Sequence, residues 1–336
     1  MNRPADAAVV AAAPVEYGMG PTREFAGDLD RLVTAIRTQR PFAFARFGDG
    51  EWMIIRNLSL DYTQKGNGEF RFSPDDPADD RARQALIESF HYSAPGYLVG
   101  IGCPCCWGRD KLLQLRQVCR QPESRLTWAN LWGNANYPQV KRGLIPEFRR
   151  YRDVYLVCHR NADPGRLPFP VTQCFPVGTN AWTEDLHLGD EIAELAGRRD
   201  PGALFLFCAG PLSNILAHRG HRANPLHTYL DLGSTLDPWL FARRQWRWLD
   251  WLPGLIRSPG ITRGYLKPGR KRRQVCRWWT PTSAELQSTP SDLPADVQTP
   301  STSIRRPHLN VPGMSPAAGE LAQRGIRGSI GISHTS

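Results

Sequence analysis

The acidic residues best suited to chemistry lie in one short motif. Arg-Phe-Gly-Asp-Gly-Glu occupies residues 46–51 and follows the apolar run Pro-Phe-Ala-Phe-Ala, which predicts a buried strand. Asp49 and Glu51 therefore sit where a strand ends, and carboxylates of this kind suit Mg²⁺ or Mn²⁺. Gly48 permits a tight turn, and Arg46 is a bidentate donor for phosphate. A polar turn with two solvated acids is the alternative interpretation.

A second polar turn follows another predicted strand. Cys-Ala-Gly-Pro-Leu-Ser-Asn occupies residues 208–214 and leads into a predicted helix. The free backbone N–H groups of a helix start suit a phosphate or a nucleotide, so Gly210, Pro211 and Asn214 are candidate nucleotide contacts. An ordinary strand-to-helix connection remains the alternative.

A third strand end supplies one more acid. In Tyr-Leu-Asp-Leu-Gly-Ser, residues 229–234, Asp231 comes at the end of an apolar run. This carboxylate is a candidate contact for a ribose, a sugar hydroxyl or a metal, or else a helix cap. Because ligands of open α/β sheets bind at the carboxyl ends of the strands, three such turns predict one shared crevice.

The elements that position these turns alternate between strand and helix. Short apolar runs predict strands at 42–47, 97–101, 154–158, 171–177, 204–208 and 228–232. Amphipathic patterns predict helices at 23–37, from 51 onward, and at 81–90, 111–119, 185–195 and 215–218. This alternation predicts an α/β fold with a mostly parallel sheet and helices on both faces.

Four motifs together resemble one family. In chain order they are Arg-Phe-Gly-Asp-Gly-Glu (46–51), Thr-Asn-Ala-Trp (179–182), Ala-Gly-Pro-Leu-Ser-Asn (209–214) and Asp-Leu-Gly-Ser (231–234). The region 25–245 thereby resembles the bacterial GT-D glycosyltransferases, first catalogued as a domain of unknown function.

The resemblance implies a Rossmann-like fold and a nucleotide-sugar donor, but it does not carry over the sugar or the acceptor. We expect a UDP-sugar donor and hexosyl transfer to a glycan or lipid-linked acceptor. The resemblance also implies a metal held through Asp49 and Glu51, and it makes Asn180 a candidate donor contact. The implied role is synthesis of a bacterial surface or secreted glycan. The Cys-Pro-Cys-Cys loop at 103–106 and the stretch 128–134 do not match the family pattern.

Two further sets of residues are candidates for the acceptor side. An inverting transferase needs a base for the acceptor hydroxyl, and Glu184, Asp185 and Asp237 are the candidates. Aromatic faces stack on sugars and amides bond their hydroxyls. This chemistry predicts a sugar-contacting surface formed by Trp128, Trp132, Asn130, Asn134 and Asn136. The alternative is a polar loop anchored by two buried tryptophans.

The net charge of +10 is confined to one segment. Residues 1–240 hold 27 basic and 27 acidic side chains, whereas residues 241–279 hold eleven basic side chains and one acid. This distribution indicates a neutral catalytic body with one basic element, not a nucleic-acid-binding domain. We expect a disordered N-terminus (1–20), a GT-D-like domain (21–240), the basic Trp/Arg-rich segment (241–279) and a disordered tail (280–336).

The basic segment 241–279 allows three interpretations. Its mixed tryptophans and basic residues suit the headgroup layer of an anionic membrane. They also suit single-stranded nucleic acid, or tryptophans that pack on the domain. The alternative function for the whole chain is accordingly a non-enzymatic protein that binds a membrane or a nucleic acid through this segment, nucleic acid being the less favoured partner.

The sequence also predicts a compartment. No apolar run approaches the about 20 residues that span a bilayer, and the start of the chain lacks the pattern of a signal peptide. We therefore expect a cytoplasmic protein with reduced cysteines, in peripheral contact with the inner face of the membrane.

Overall fold

Parallel strands form the centre of the fold. A computed structural model of the chain describes residues 25–63, 70–102, 107–132, 139–241, 282–287 and 293–298. Its strands are β1 (Ala43–Arg46), β2 (Leu60–Asp61), β3 (Arg71–Phe72), β4 (Tyr97–Ile101), β5 (Leu126–Trp128), β6 (Val154–His159), β7 (Gln173–Val177), β8 (Leu204–Cys208) and β9 (Thr228–Asp231).

Helices surround these strands. They are α1 (Phe25–Arg37), α2 (Asp49–Ile55), α3 (Pro77–His91), α4 (Arg109–Val118), α5 (Ala181–Glu184), α6 (Leu188–Arg198), α7 (Leu212–Ala223), α8 (Asp237–Leu240), α9 (Ser283–Gln287) and α10 (Ala295–Gln298). Shorter helical turns occupy Glu123–Arg125, Val140–Leu144, Ile145–Arg150 and Pro164–Arg166. In the part of the chain that the structure describes, none of these helices has the length and apolar content needed to cross a bilayer.

The main sheet has seven strands in the order β5-β4-β1-β9-β8-β6-β7. All of its neighbouring pairs are parallel. Every residue of β4 and of β9 is buried, and the sequence of β4 is accordingly a continuous apolar run. The predicted α/β fold with a parallel sheet is confirmed.

Several predicted elements have different bounds in the structure. Helix α3 begins at Pro77, four residues before the predicted start, because the Asp76 side chain caps it by accepting the Ala78 N–H at 2.8 Å. The helix predicted at 185–195 is α6, which begins and ends three residues later, and a separate short helix, α5, precedes it.

Strand β5 was not predicted, and it changes the interpretation of two tryptophans. Trp128 ends this strand beside Ile101 of β4, and the side chains of Trp128 and Trp132 are both fully buried. Neither ring can stack on a sugar, so the prediction of a sugar-contacting surface is wrong for these two residues. They are core residues; the Trp132 ring meets Phe44 edge to face at 5.2 Å. Asn134 and Asn136 lie outside the described residues.

An antiparallel hairpin formed by β2 and β3 was not predicted either. Leu60 pairs with Phe72, and Asp61 with Arg71. Tyr62 meets Phe70 edge to face with ring centroids 5.3 Å apart. This hairpin lies between α2 and α3 in the chain, so it replaces a simple helix-to-helix connection.

The predicted disordered tail, 280–336, contains α9 and α10, so that prediction is wrong for these two short stretches. In the stretch of α10, Leu293 and Val297 are buried. Helix α9 buries no residue and is held by the ion pair of Glu285 with Arg109 and by the bond from Gln117 Nε2 to the Glu285 carbonyl, at 2.8 Å. The predicted N-terminal disorder (1–20), the basic segment from 242 onward, and the cysteine loop 103–106 lie outside the described residues.

Candidate active site

The candidate site lies at the carboxyl ends of β1 and β9, near the middle of the sheet. The chain leaves β1 for β4 on one side and reaches β9 from β8 on the other. Connections that diverge from neighbouring strands leave a crevice outside their carboxyl ends. The predicted turns after β1, β8 and β9 all reach this edge of the sheet.

Arg46 and Asp231 join the two central strands at this edge. Asp231 Oδ2 accepts the backbone N–H of Arg46 at 3.1 Å, and it lies 3.8 Å from Nε of the same arginine. Nη1 of Arg46 donates to the Leu232 carbonyl at 3.4 Å. The Asp231 side chain is 5% exposed and that of Arg46 is 25% exposed. The Arg46 guanidinium therefore reaches the crevice, while the Asp231 carboxylate stays buried.

The turn after β9 is shaped around this guanidinium. Gly233 adopts φ +49°, and its N–H donates to Asp231 Oδ1 at 3.0 Å. A Cβ atom at Gly233 would lie only 2.6 Å from Nη2 of Arg46. Glycine is required here both by the positive φ and by the close approach of the arginine.

Both carboxylates of the first motif lie in the first turn of α2. Glu51 Oε2 accepts the Gly48 N–H at 2.9 Å, so this carboxylate closes the start of the helix. A Cβ atom at Gly48 would lie 2.9 Å from the same oxygen. Asp49 is exposed and Glu51 is partly buried. The alternative of two solvated acids therefore does not describe Glu51.

Two carboxyl groups of the site have strongly raised pKa values. Burial raises the pKa of Glu51 to about 7, and the negative charges of Asp231 and Asp49 add to this effect while Arg46 opposes it. Burial also raises the pKa of Asp231 to about 6, against the nearby Arg46 charge and two backbone N–H groups. A cation bound beside these carboxyl groups would favour their charged forms and so lower both pKa values.

The donor set of the site fits a divalent cation that a ligand would help to hold. Both oxygens of Asp231 accept backbone N–H groups, which leaves Asp49 and the Oε1 atom of Glu51 as carboxylate donors. Among the described residues, no group of three or more His, Cys, Asp or Glu side chains is arranged to hold a metal. Mg²⁺ commonly binds one or two carboxylates and takes its other ligands from water and substrate phosphates.

The turn after β8 places a buried amide near the crevice. Gly210 adopts φ +56°, Pro211 is buried, and the Ser213 hydroxyl accepts the Ala209 N–H at 3.0 Å. The side chain of Asn214 is fully buried, and neither its oxygen nor its nitrogen has a hydrogen-bond partner within the described ranges. Such an amide is costly unless something bonds it.

The aromatic ring of Phe70 contacts both glycine turns. A Cβ atom at Gly50 would lie 2.9 Å from Cζ of Phe70, and one at Gly210 would lie 3.4 Å from Cδ1 of the same ring. Phe70 is 5% exposed. The hairpin thus brings the turn after β1 and the turn after β8 together over one side of the crevice.

Asn180 contributes to this arrangement through the hairpin. Its Oδ1 accepts the Arg71 N–H at 3.1 Å, and its Nδ2 donates to Thr183 Oγ1 at 2.7 Å. Trp182 Nε1 donates to the Arg71 carbonyl at 3.0 Å. Both ends of the Asn180 amide are engaged within the protein, so its observed contacts hold the hairpin in place.

The three candidate bases lie in different surroundings. Glu184 is exposed, near Gly178 and Arg160. The Asp185 carboxylate accepts the Gly178 N–H at 2.9 Å. Asp237 is 4% exposed at the start of α8. Burial, with the charges of Asp237 and then Asp231, raises the pKa of the Cys208 thiol well above its usual range, so both carboxylates lie near the end of β8.

The hairpin and the role of Gly233 are two features of the site that were not predicted from the sequence. One signal for the hairpin was present, since Asn-Gly at 67–68 between aromatic residues favours a hairpin turn. The close approach of Arg46 to Gly233 left no local signal, because the two residues are far apart in the chain.

Comparison with known proteins finds chains of similar fold among the solved structures. No family model matches the chain, and no curated protein matches it. The chain is similar to a glycosyltransferase (DUF1792) from Streptococcus sanguinis, at 14% identity and a TM-score of 0.44, over 63% of this chain and 81% of that one.

It is also similar to a structure of domain of unknown function 1792 described as a distinct glycosyltransferase fold, at 13% identity and a TM-score of 0.41. That match covers 62% of this chain and 77% of the other, and a selenomethionine form gives the same values. At such identity, the roles of individual residues rest on the geometry of this chain alone.

Proposed function

We propose that the chain is a glycosyltransferase that moves a sugar from a nucleotide-sugar donor, such as a UDP-sugar, to a glycan or lipid-linked acceptor. The observation that supports this most is the placement of Asp49 and Glu51 with the Arg46 guanidinium at one crevice of a parallel sheet. Carboxylates that hold a cation, together with a guanidinium, suit a diphosphate.

In this proposal, the protein acts mainly on the leaving diphosphate. Negative charge grows on its oxygens as the bond to the sugar breaks. A divalent cation held by Asp49 and Glu51 would, when bound, neutralise part of that charge. The Arg46 guanidinium donates to the same diphosphate, and Asp231 keeps the guanidinium in position before the donor arrives.

The acceptor hydroxyl must lose a proton during transfer. We retain Asp237 and Glu184 as candidate bases, and the contacts of Asp185 and Asn180 within the protein favour positioning roles for those residues. If transfer inverts the sugar and Asp237 is the base, Asp237→Asn lowers kcat strongly and Glu184→Gln does not. If Glu184→Gln lowers kcat strongly and Asp237→Asn does not, Glu184 is the base.

The direct test is a transfer assay with a panel of nucleotide sugars in the presence of Mn²⁺ or Mg²⁺. We expect the release of a nucleoside diphosphate with one of them, and its loss in Asp49→Asn and in Glu51→Gln. Glu191→Gln removes an exposed carboxylate from α6 and serves as the matched control, with wild-type activity. Release of inorganic phosphate instead would indicate a phosphohydrolase and contradict the proposal.

The membrane contact through 241–279 and the cytoplasmic location stay predictions, since nearly all of that segment lies outside the described residues. Deleting 242–279 separates the enzyme from the alternative binding protein. An enzyme of the proposed kind still binds its donor after the deletion, whereas a protein that acts only through this segment loses all of its binding.

A further inference from the structure

A short C-terminal segment packs against the helix layer that supports the candidate site. Helix α10 (Ala295–Gln298) docks on α3, where Asp296 forms an ion pair with Arg83. A second bond from Nη2 of Arg83 to Asp296 Oδ1 measures 3.2 Å, and Gln84 Nε2 donates to Oδ2 at 3.0 Å. The buried side chain of Val297 anchors the same turn.

Arg83 links this segment to α2. Its Nε donates to the Ile54 carbonyl at 2.9 Å, and its Nη2 donates to the Ile55 carbonyl at 2.8 Å. These two carbonyls belong to the last turn of α2, where an α-helix leaves carbonyl groups without partners inside the helix. The Ile54 carbonyl also accepts the Asn57 N–H at 2.9 Å. The first turn of the same seven-residue helix holds Asp49 and Glu51. One guanidinium therefore caps the helix that bears both carboxylates.

The buried charge of Arg83 makes Asp296 important. The Arg83 side chain is 2% exposed, and a guanidinium in such surroundings needs a paired negative charge. Asp80 lies 3.8 Å away but is 54% exposed. Asp296 makes the shorter and doubly bonded pair, so it is the main counter-charge of Arg83.

We propose that residues 293–298 act as an intramolecular strap, and that Asp296 is a positioning residue that fixes α2 through Arg83. The strap holds the last turn of α2 against α3 and thereby fixes the direction of the turn that bears Asp49 and Glu51. Its effect on sugar transfer rests on the proposed function, whereas its effect on α2 does not.

Amide hydrogen exchange of the full-length chain tests the strap without any substrate. In Asp296→Asn, we expect the amides of residues 53–58 to exchange about tenfold faster, equal to ~1.4 kcal/mol of local opening. The matched control is Glu285→Gln in the same C-terminal region, because Glu285 pairs with the exposed Arg109 of α4 instead of with α3. We expect wild-type exchange at 53–58 in this control.

Strand β8 serves as the reference for global opening. Faster exchange at 53–58 with unchanged exchange at 204–208 supports the strap. Equal acceleration of both regions, or no acceleration in Asp296→Asn, overturns it. Asp296→Glu keeps the charge and should restore most of the protection of α2; if it exchanges like Asp296→Asn, the charge pairing is not what positions the helix.

A second readout connects the strap to the proposed function. If sugar transfer is found, Asp296→Asn should raise KM for the donor more than Glu285→Gln does. Exchange data that support the strap while no nucleotide sugar reacts would reject the proposed function and leave the strap in place.

Discussion

Substitution of Gly233 by alanine probes the Arg46 site most sharply. The new Cβ atom would lie 2.6 Å from Nη2 of Arg46, whereas carbon and nitrogen atoms in ordinary contact are separated by about 3.5 Å. The guanidinium must therefore move by about 1 Å. That shift weakens its hydrogen bond to the Leu232 carbonyl, which is already 3.4 Å long, and its ion pair with Asp231, which spans 3.8 Å.

The expected magnitudes separate stability from binding. Positive φ costs an alanine about 1–2 kcal/mol of folding free energy. Loss of one charge-assisted hydrogen bond to a bound diphosphate costs about 1.5–3 kcal/mol, or roughly 10- to 100-fold in Kd. Gly202→Ala is the matched control, since Gly202 also has a positive φ of +97° but no atom within 4 Å of its Cβ position.

Urea unfolding and calorimetric titration with a nucleoside diphosphate measure these two quantities. Both variants should lose stability, and only Gly233→Ala should lose affinity. Equal affinities in Gly233→Ala and Gly202→Ala would refute the assignment of Arg46 as a diphosphate contact.

Three further predictions follow from buried polar groups. Asn214→Leu should raise the free energy of unfolding by about 1 kcal/mol, because both amide atoms lack partners among the described residues, while donor affinity falls. Burial lowers the pKa of His218 to about 3, whereas a histidine in the unfolded chain has a pKa of about 6.5. Below pH 6.5 the unfolded chain therefore binds this proton before the folded protein does, and the folded protein loses stability on acidification. At pH 5 the part of this loss that is due to His218 is about 2 kcal/mol, and only this part should be absent in His218→Gln. Burial also lowers the pKa values of His91, His221 and His227, which destabilise both proteins on acidification. Asp231→Asn should lower the pKa of Glu51, since the Asp231 charge helps to raise it, in an NMR titration of the side-chain carboxyl.

For each of these three predictions, one result would contradict it. A less stable Asn214→Leu would mean that a water or a backbone group satisfies the amide. The test of His218 compares the free energies of unfolding in urea near pH 7.5 and pH 5 in wild type and His218→Gln. The raised pKa of Glu51 changes stability in the opposite direction, but both proteins contain Glu51, so its contribution cancels in the comparison. If the free energy of unfolding depends on pH equally in both proteins, His218 does not contribute to the loss of stability in acid. An unchanged Glu51 pKa in Asp231→Asn would show that the Asp231 charge does not help to raise it.

The sequence was sufficient where local pattern decides the structure. Strands 97–101 and 204–208 are continuous apolar runs buried in a parallel sheet, and the structure confirms both. The acids at 49 and 51 could be assigned to a strand end because an apolar run precedes them. The predicted start of α3 is four residues too late, because the apolar pattern at 81–90 does not include the Asp-Pro cap at 76–77.

Other features depend on contacts between distant residues. Strand β5 has three residues, too few to show a period. The Arg46–Asp231 contact depends on β9 pairing with β1, which no local pattern specifies. The C-terminal helix α10 has the composition of a disordered segment, and it is ordered because Val297 and Asp296 find partners on the body of the protein.

The most direct test of the central claim is calorimetric titration of nucleotide sugars, with and without Mn²⁺, into wild type and Asp49→Asn. The proposed site predicts binding of at least one nucleotide sugar to wild type that strengthens at least tenfold, about 1.4 kcal/mol, when Mn²⁺ is added. It also predicts that Mn²⁺ has no such effect on Asp49→Asn. Metal-independent binding with the same affinity in both proteins would contradict the assignment of Asp49 and Glu51 to a metal-assisted donor site.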